Sequence, residues 1–390
     1  MSFDEDINRI GTHSSKWDTM EHRYGVSPND GLAMWVADMD FRPPHAVQRA
    51  LENMTSHGIY GYFGDNRDYL NAIIWWMQNR HDWQVDSDAI FTTHGLVNGA
   101  AVCIDAFTAS GDGVILMTPV YHAFAQVIRA ADRQLVECKM AQVADRYLLD
   151  ITTWDAQMTG QEKMFILCSP HNPGGRVWTE DELLAIADFC ERHNLILISD
   201  EIHHDVVMPG FRHIAMPLAA PHVTDRLIMM TAGSKTFNIA GGHTGNVIIP
   251  NPKLRQVFAK RLNALGISTN AFGVHMVTAA YSPEGARWVD ELCAYIDFNR
   301  QLFDAGIATI KGVSSMRLEG TYLAWVNFSG TGMTETELKH RIHGQAKIAV
   351  SHGISFGAGG ETFMRFNLGM PRAKIEIAIH RLQAAFRDLQ

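Results

Sequence analysis

The chain has 390 residues, enough for two domains rather than one small core. Hydrophobic residues make up 46% and charged residues 19%, a globular composition that excludes a disordered chain. With 42 acidic against 33 basic residues the net charge is −9, and no Lys/Arg run occurs, so nucleic acid is not an expected partner.

In chain order, the N-terminus Met1-Ser2-Phe3-Asp4-Glu5-Asp6 is acidic and lacks the basic-then-apolar order of a signal peptide. No apolar run approaches the ~20 residues that cross a bilayer. Cys103, Cys138, Cys168, Cys190 and Cys293 are scattered and form no Cys-x-x-Cys pair, which argues against a disulfide framework or a structural zinc. The expectation is a cytoplasmic protein with no membrane partner.

Apolar Ala89-Ile90-Phe91 runs into His94-Gly95-Leu96-Val97, which opens a helix. Further unbroken apolar runs follow at Val114–Met117, Phe165–Leu167, Leu195–Ile198 and Leu227–Met230. Continuous rather than alternating patterning predicts strands buried on both faces, as in a parallel sheet. Between the second and third of these four, Thr179 and Glu182 form a capping-box pattern. Leu183, Leu184, Ile186, Ala187 and Cys190 then recur at helical spacing, closed by His193-Asn194. Such strand–helix–strand units predict an α/β fold with a large, mostly parallel, helix-covered sheet. Beyond residue 283 the texture changes. Helical stretches near 284–310 and 334–346 flank a strand-like Tyr322–Phe328, which predicts a smaller α+β domain. The expected division is an N-terminal segment 1–40 packing with the small domain, a large domain 41–283 and a small domain 284–390.

In open α/β sheets, ligands bind beyond the carboxyl ends of the strands. The segments there are Thr118-Pro119-Val120-Tyr121, Ser169-Pro170-His171-Asn172-Pro173-Gly174-Gly175, Ser199-Asp200-Glu201-Ile202-His203-His204 and Thr231-Ala232-Gly233-Ser234-Lys235-Thr236. Taken alone, Asp200 and Lys235 read equally well as a buried structural ion pair. Their neighbours supply more: an amide in a turn at Asn172, backbone N–H groups at Gly95 and Leu96 suited to a phosphate, and a flat ring at Tyr121. An amine that reacts with aldehydes, a carboxylate, an amide, a phosphate cradle and an aromatic platform are what pyridoxal 5'-phosphate (PLP) requires. His203-His204-Asp205 is not read as a metal site, because adjacent histidines point different ways in regular structure. The glycines at 357–360 fit neither a dinucleotide nor a P-loop pattern.

The order Asn-Pro-x-Gly, Ser-Asp-Glu, Ser-Lys, then a late Arg resembles PLP fold-type I enzymes of the class I/II aminotransferase superfamily, from about residue 30 to the C-terminus. Within it the chain is most similar to the MalY/PatB group of cystathionine β-lyases, the cysteine-S-conjugate β-lyases. The segments carrying that likeness are Trp35-Val36-Ala37-Asp38-Met39-Asp40-Phe41, His57-Gly58-Ile59-Tyr60-Gly61-Tyr62, Ser199-Asp200-Glu201-Ile202-His203 and Gly233-Ser234-Lys235-Thr236-Phe237-Asn238. His203 stands where most aminotransferases of the class carry Tyr.

The resemblance implies the following roles. Lys235 holds the cofactor and moves the substrate Cα proton, Asp200 pairs with the ring nitrogen, and Asn172 donates to the phenolic oxygen with His203 nearby. Tyr121 stacks on the ring. Gly95, Leu96 and Ser234 contact the phosphate, and Tyr62 (or Tyr60 beside it) reaches the phosphate of a partner subunit in a homodimer. Arg365 binds the carboxylate of an amino-acid substrate, with Val36 and Ala37 on the substrate side. The implied reaction is carbon–sulfur β-elimination. Transamination uses the same site chemistry, and a regulatory protein on this fold is a third reading. Two positions depart from the pattern: Ala232 replaces a Ser or Thr, and His243 an Arg, both on the phosphate side.

Overall fold

A computed structural model describes residues 3–389. Its centre is a seven-stranded sheet built from β1 (Ile90–Thr93), β2 (Gly113–Thr118), β3 (Gln134–Lys139), β4 (Glu162–Cys168), β5 (Ile196–Asp200), β6 (Leu227–Thr231) and β7 (Gly245–Ile248), in the order β1-β7-β6-β5-β4-β2-β3. β2, β3, β4, β5 and β6 pair in parallel. β7 runs antiparallel to both its neighbours, β1 and β6. The expected mixed α/β architecture is therefore present, with one reversed strand that apolar patterning could not reveal, since orientation leaves no trace in a buried run.

Alternate residues of β2, β4 and β5 enter two separate cores. Ile115, Phe165, Leu167 and Leu197 pack on one face with Leu183, Ile186 and Cys190 of helix Glu180–Arg192. Val114, Leu116, Ile166 and Ile198 pack on the other with Ala100, Cys103 and Phe124 from helices Leu96–Phe107 and His122–Ala130. Both faces being covered is why the strands read as unbroken apolar runs. The Thr179/Glu182 capping box forms in full at the start of helix Glu180–Arg192. It satisfies N–H groups that the first turn leaves without helical partners.

A second, antiparallel sheet comprises β8 (Ser314–Ser315), β9 (Leu323–Asn327), β10 (Ser351–His352) and β11 (Phe363–Asn367), in the order β8-β9-β11-β10. Helix Pro283–Ile307 links the two halves. Trp288, Val289, Leu292 and Ile296 pack with residues of the first half, while Phe303 and Ile307 join the core behind the second sheet. The stretch expected to be helical near 334–346 is a short α-helix, Glu335–Lys339, that widens into a π-helix over His340–Gln345. Near the N-terminus, Leu32 and Ala33 pair in parallel with Ile348 and Ala349. Among the described residues no helix is long and apolar enough to cross a membrane.

Candidate active site

The carboxyl ends of β1, β2, β4, β5 and β6, and the start of β7, lie at one edge of the large sheet. A cavity of about 870 Å³ opens there between the two sheets. Asp200 ends β5 beside Cys168, the last residue of β4, and Lys235 sits in the single helical turn Gly233–Thr236 that follows β6. Both line the cavity, together with Gly95, Leu96, Tyr121, Asn172, His203, Ser234, Arg365, Val36 and Ala37. Eleven of the twelve residues singled out from the sequence therefore share one space. Tyr62 does not line it: it is fully exposed, with Ile59 and Tyr60, on a loop without regular structure.

The motif Trp35–Phe41 and the motif Gly233–Asn238 meet here. Asn238 accepts from the Met39 backbone N–H at 2.9 Å and donates to the carbonyls of Met39 (2.8 Å) and Phe41 (2.9 Å). Lys235 Nζ donates to the carbonyl of Ala37 at 2.8 Å. Asn367 donates to the carbonyls of Val36 and Asp38, at 2.7 and 2.8 Å. The strap 35–41 is thus fixed by side chains from both halves of the molecule.

Burial governs the electrostatics. It pulls the Lys235 ammonium down to about 8, despite the opposing charges of Asp38 and Asp200. The same desolvation pushes the Asp200 carboxyl up to about 7; one oxygen accepts from the Ile202 N–H at 3.1 Å, and Lys235 counteracts the rise only in part. Arg365, on β11, is 3% exposed. Its Nη1 donates to Asn172 Oδ1 at 2.8 Å and its Nη2 to the Trp35 carbonyl at 2.8 Å and Ser351 Oγ at 3.3 Å, while its Nε has no partner. No carboxylate pairs with it among the described residues, and burial lowers its guanidinium to about 10. A buried cation without a counter-ion is costly, so this arrangement suits an incoming anion.

Other features fit a phosphorylated aldehyde. Gly95 stands at φ +86°, ψ 167°, at the N-terminus of helix Leu96–Phe107, whose first residues line the cavity. That conformation belongs almost only to glycine, and helix N-termini attract anions. His203 is 1% exposed, its Nδ1 is unpartnered, and desolvation holds its imidazole well below the ordinary value. Tyr121 N-caps helix His122–Ala130 and turns its ring to the same space. A near-neutral amine, a buried acid lacking a cationic contact, unpartnered donors and a helix N-terminus match the functional groups of PLP.

The sequence did not disclose Ser351, Tyr24 or Arg23 as cavity residues. They come from segments that only tertiary packing brings near. His203 and His204 do point apart. His204 stacks on His81, ring centroids 4.0 Å apart, and approaches Asp205. The Asp205 carboxylate accepts from Trp76 Nε1 at 3.0 Å and from Thr236 Oγ1 at 2.7 Å, and contacts His81 Nε2 at 2.9 Å. This buried network ties the loop after Asp200 to the turn that carries Lys235.

Comparison with known proteins agrees with this architecture. The chain is 36% identical over 388 residues to cystathionine β-lyase PatB of Bacillus subtilis (strain 168), covering 99% of this chain and 100% of the relative. It is 32% identical to protein MalY of Escherichia coli (strain K12), covering 100% and 99%. The crystal structure of cystalysin from Treponema denticola, which contains a pyridoxal 5'-phosphate cofactor, superposes with a TM-score of 0.95 at 34% identity, covering 100% of this chain and 99% of that one. The family model for aminotransferase class I and II matches residues 34–382, and the chain belongs to that family.

Proposed function

We propose that the protein is a PLP-dependent carbon–sulfur β-lyase that converts cystathionine or a related cysteine S-conjugate to a thiol, pyruvate and ammonia. The observation that carries this reading is that one cavity is lined by the Lys235 amine, the Asp200 carboxyl and the acid-free Arg365 guanidinium together. The full-length similarity to a cystathionine β-lyase narrows the chemistry to carbon–sulfur cleavage.

Bound PLP supplies an electron-accepting ring that makes the substrate Cα–H acidic. Lys235 would hold the cofactor through Nζ and would take the substrate Cα proton on the same atom; a pKa near neutral suits that exchange. Asp200 pairs with the ring nitrogen and keeps it protonated. Asn172 has its oxygen committed to Arg365, which leaves its amide N–H groups to donate to the cofactor's phenolic oxygen, with His203 beside it. Tyr121 stacks on the ring. Gly95, Leu96 and Ser234 hold the phosphate, and His243, which lines the cavity where the family pattern has Arg, is a further candidate. Arg365 would grip the substrate carboxylate as a fork and, with Val36 and Ala37, would fix the orientation of the substrate Cα–H. Tyr62 completes the site of a partner subunit in a homodimer, which accounts for its full exposure in the single chain. The division 1–40, 41–283 and 284–390, and a cytoplasmic setting with all five cysteines unpaired, belong to the same reading.

The decisive experiment incubates the PLP-loaded protein with L-cystathionine and no keto acid. Steady pyruvate release with the cofactor absorbance unchanged is expected. Loss of that absorbance without pyruvate, restored by a keto acid, would make the protein an aminotransferase instead.

A further inference from the structure

The cavity contains a second guanidinium. Arg23 lies in the short helix Met20–Tyr24 and lines the same space as Arg365, and both contact Trp35. The Trp35 carbonyl accepts from Arg365 Nη2, while the Arg23 guanidinium lies 5.2 Å from the centroid of the Trp35 ring. Trp35 is itself fixed, 8% exposed, with its indole N–H donated to the Lys16 carbonyl at 2.8 Å. Arg23, itself exposed, therefore lies at the Arg365 end of the cavity. The groups assigned to the phosphate, Gly95 and Ser234, belong to the edge of the large sheet.

Arg23 has no ion-pair or side-chain hydrogen-bond partner among the described residues. Among the described residues Asp200 is the only carboxylate lining the cavity, and the cofactor's ring nitrogen claims it. With Lys235 engaged by the cofactor and Arg365 by the substrate's own carboxylate, Arg23 is the charge left facing the sulfur side. A distal carboxylate would meet a guanidinium over an aromatic face, whereas a lone distal ammonium would meet no acid.

We propose that Arg23 is a specificity-determining residue that binds a carboxylate borne on the leaving-group side, so that the preferred substrates are cysteine S-conjugates with acidic thiol portions. Cystathionine meets this requirement through the carboxylate of its distal amino acid, although its distal ammonium finds no acid there. The inference rests on the carbon–sulfur lyase reading, and it adds an order of preference among S-conjugates.

The test compares pyruvate release from S-carboxyethyl-L-cysteine, S-aminoethyl-L-cysteine and neutral S-ethyl-L-cysteine by the PLP-loaded wild type, Arg23→Ala and Arg23→Glu. The wild type should favour the carboxyethyl substrate. Arg23→Ala should lower its kcat/KM roughly tenfold, the low end for a charge-assisted contact because the site is solvent-exposed, and leave S-ethyl-L-cysteine unchanged. Arg23→Glu should invert the preference toward the aminoethyl substrate. An equal loss on all three substrates would place Arg23 on the common carboxylate or in the scaffold and overturn the proposal, as would no change on any. The neutral substrate separates the two levels of argument. If the wild type cleaves it while the Arg23 variants keep the same order of preference, only this inference fails. If the wild type cleaves L-cystathionine but none of the three, this inference fails alone; if it cleaves none of the four, the lyase reading fails and takes this inference with it.

Discussion

Three buried ionisable residues, Lys235, Asp200 and Arg365, are each held in a state that disfavours its charge. For Asp200 the direction has a consequence for stability. Its folded value, about 7, stands above its ordinary 3.8, so the folded cofactor-free chain keeps a proton that the unfolded chain releases. The stability associated with this proton is fully present below the ordinary value and is lost as pH rises through about 7. Asp200→Asn removes the titration. The cofactor-free variant should melt a few degrees above the wild type at about pH 8, with the gap narrowing toward about pH 5, while PLP affinity and turnover fall. Thermal scans across that range check the sign, and a gap that widens toward acid would refute it. For Arg365→Lys the expectation is a loss of about 2 kcal/mol or more in kcat/KM, because an ammonium cannot form the two-pronged contact that the Asn172 and Trp35 acceptors orient. Steady-state kinetics decide this, and a Lys variant equal to the wild type would remove the fork from the argument.

At the level of elements, the site depends on chain ends whose geometry is locally encoded. The capping box at Thr179 starts the helix that backs β4 and β5, so Thr179→Ala should cost about 1 kcal/mol in denaturant unfolding without altering KM. Gly95 differs in kind. A Cβ there meets nothing within 4 Å, so the penalty for Gly95→Ala is purely conformational, about 1–3 kcal/mol at this φ and ψ. The backbone can relieve that strain by rotating the first amides of helix Leu96–Phe107. The expected signature is therefore weaker PLP retention on dialysis, out of proportion to the loss of stability. The strap 35–41 has no regular hydrogen bonding of its own. Its order comes from Asn238, Asn367 and Arg365, and from Arg9 and Lys16, which hold Asp38 and Asp40 from the N-terminal side.

At the scale of the whole molecule, the exposed loop with Ile59, Tyr60 and Tyr62 lies apart from the cavity of its own chain. If Tyr62 serves the neighbouring subunit, a mixture of inactive Lys235→Ala and Tyr62→Ala chains, unfolded and refolded together, should regain part of the wild-type turnover. Some mixed dimers then hold one intact site. No recovery beyond the sum of the separate variants would assign Tyr62 to its own chain or to no site at all.

The sequence by itself determined the alternation of buried strands and amphipathic helices, the capped start of helix Glu180–Arg192, and the chemistry gathered at strand ends in Asp200, Lys235, Asn172 and Gly95. These are local consequences of burial period and turn chemistry, and they survive in a one-dimensional reading. The reversal of β7, the widening of the helix at His340–Gln345 and the run of helix Pro283–Ile307 across both cores are decided by packing, to which hydrophobic pattern is blind. Packing also decided the second half of the site. The carbonyls of Trp35 and Ala37 are backbone atoms with no residue signature, Ser351 meets Trp35 from more than three hundred positions away, and Arg23 borders the cavity beside the Trp35 ring. A sequence can state which side chains possess a chemistry; which carbonyl or guanidinium faces them depends on how the two sheets close on the strap between them.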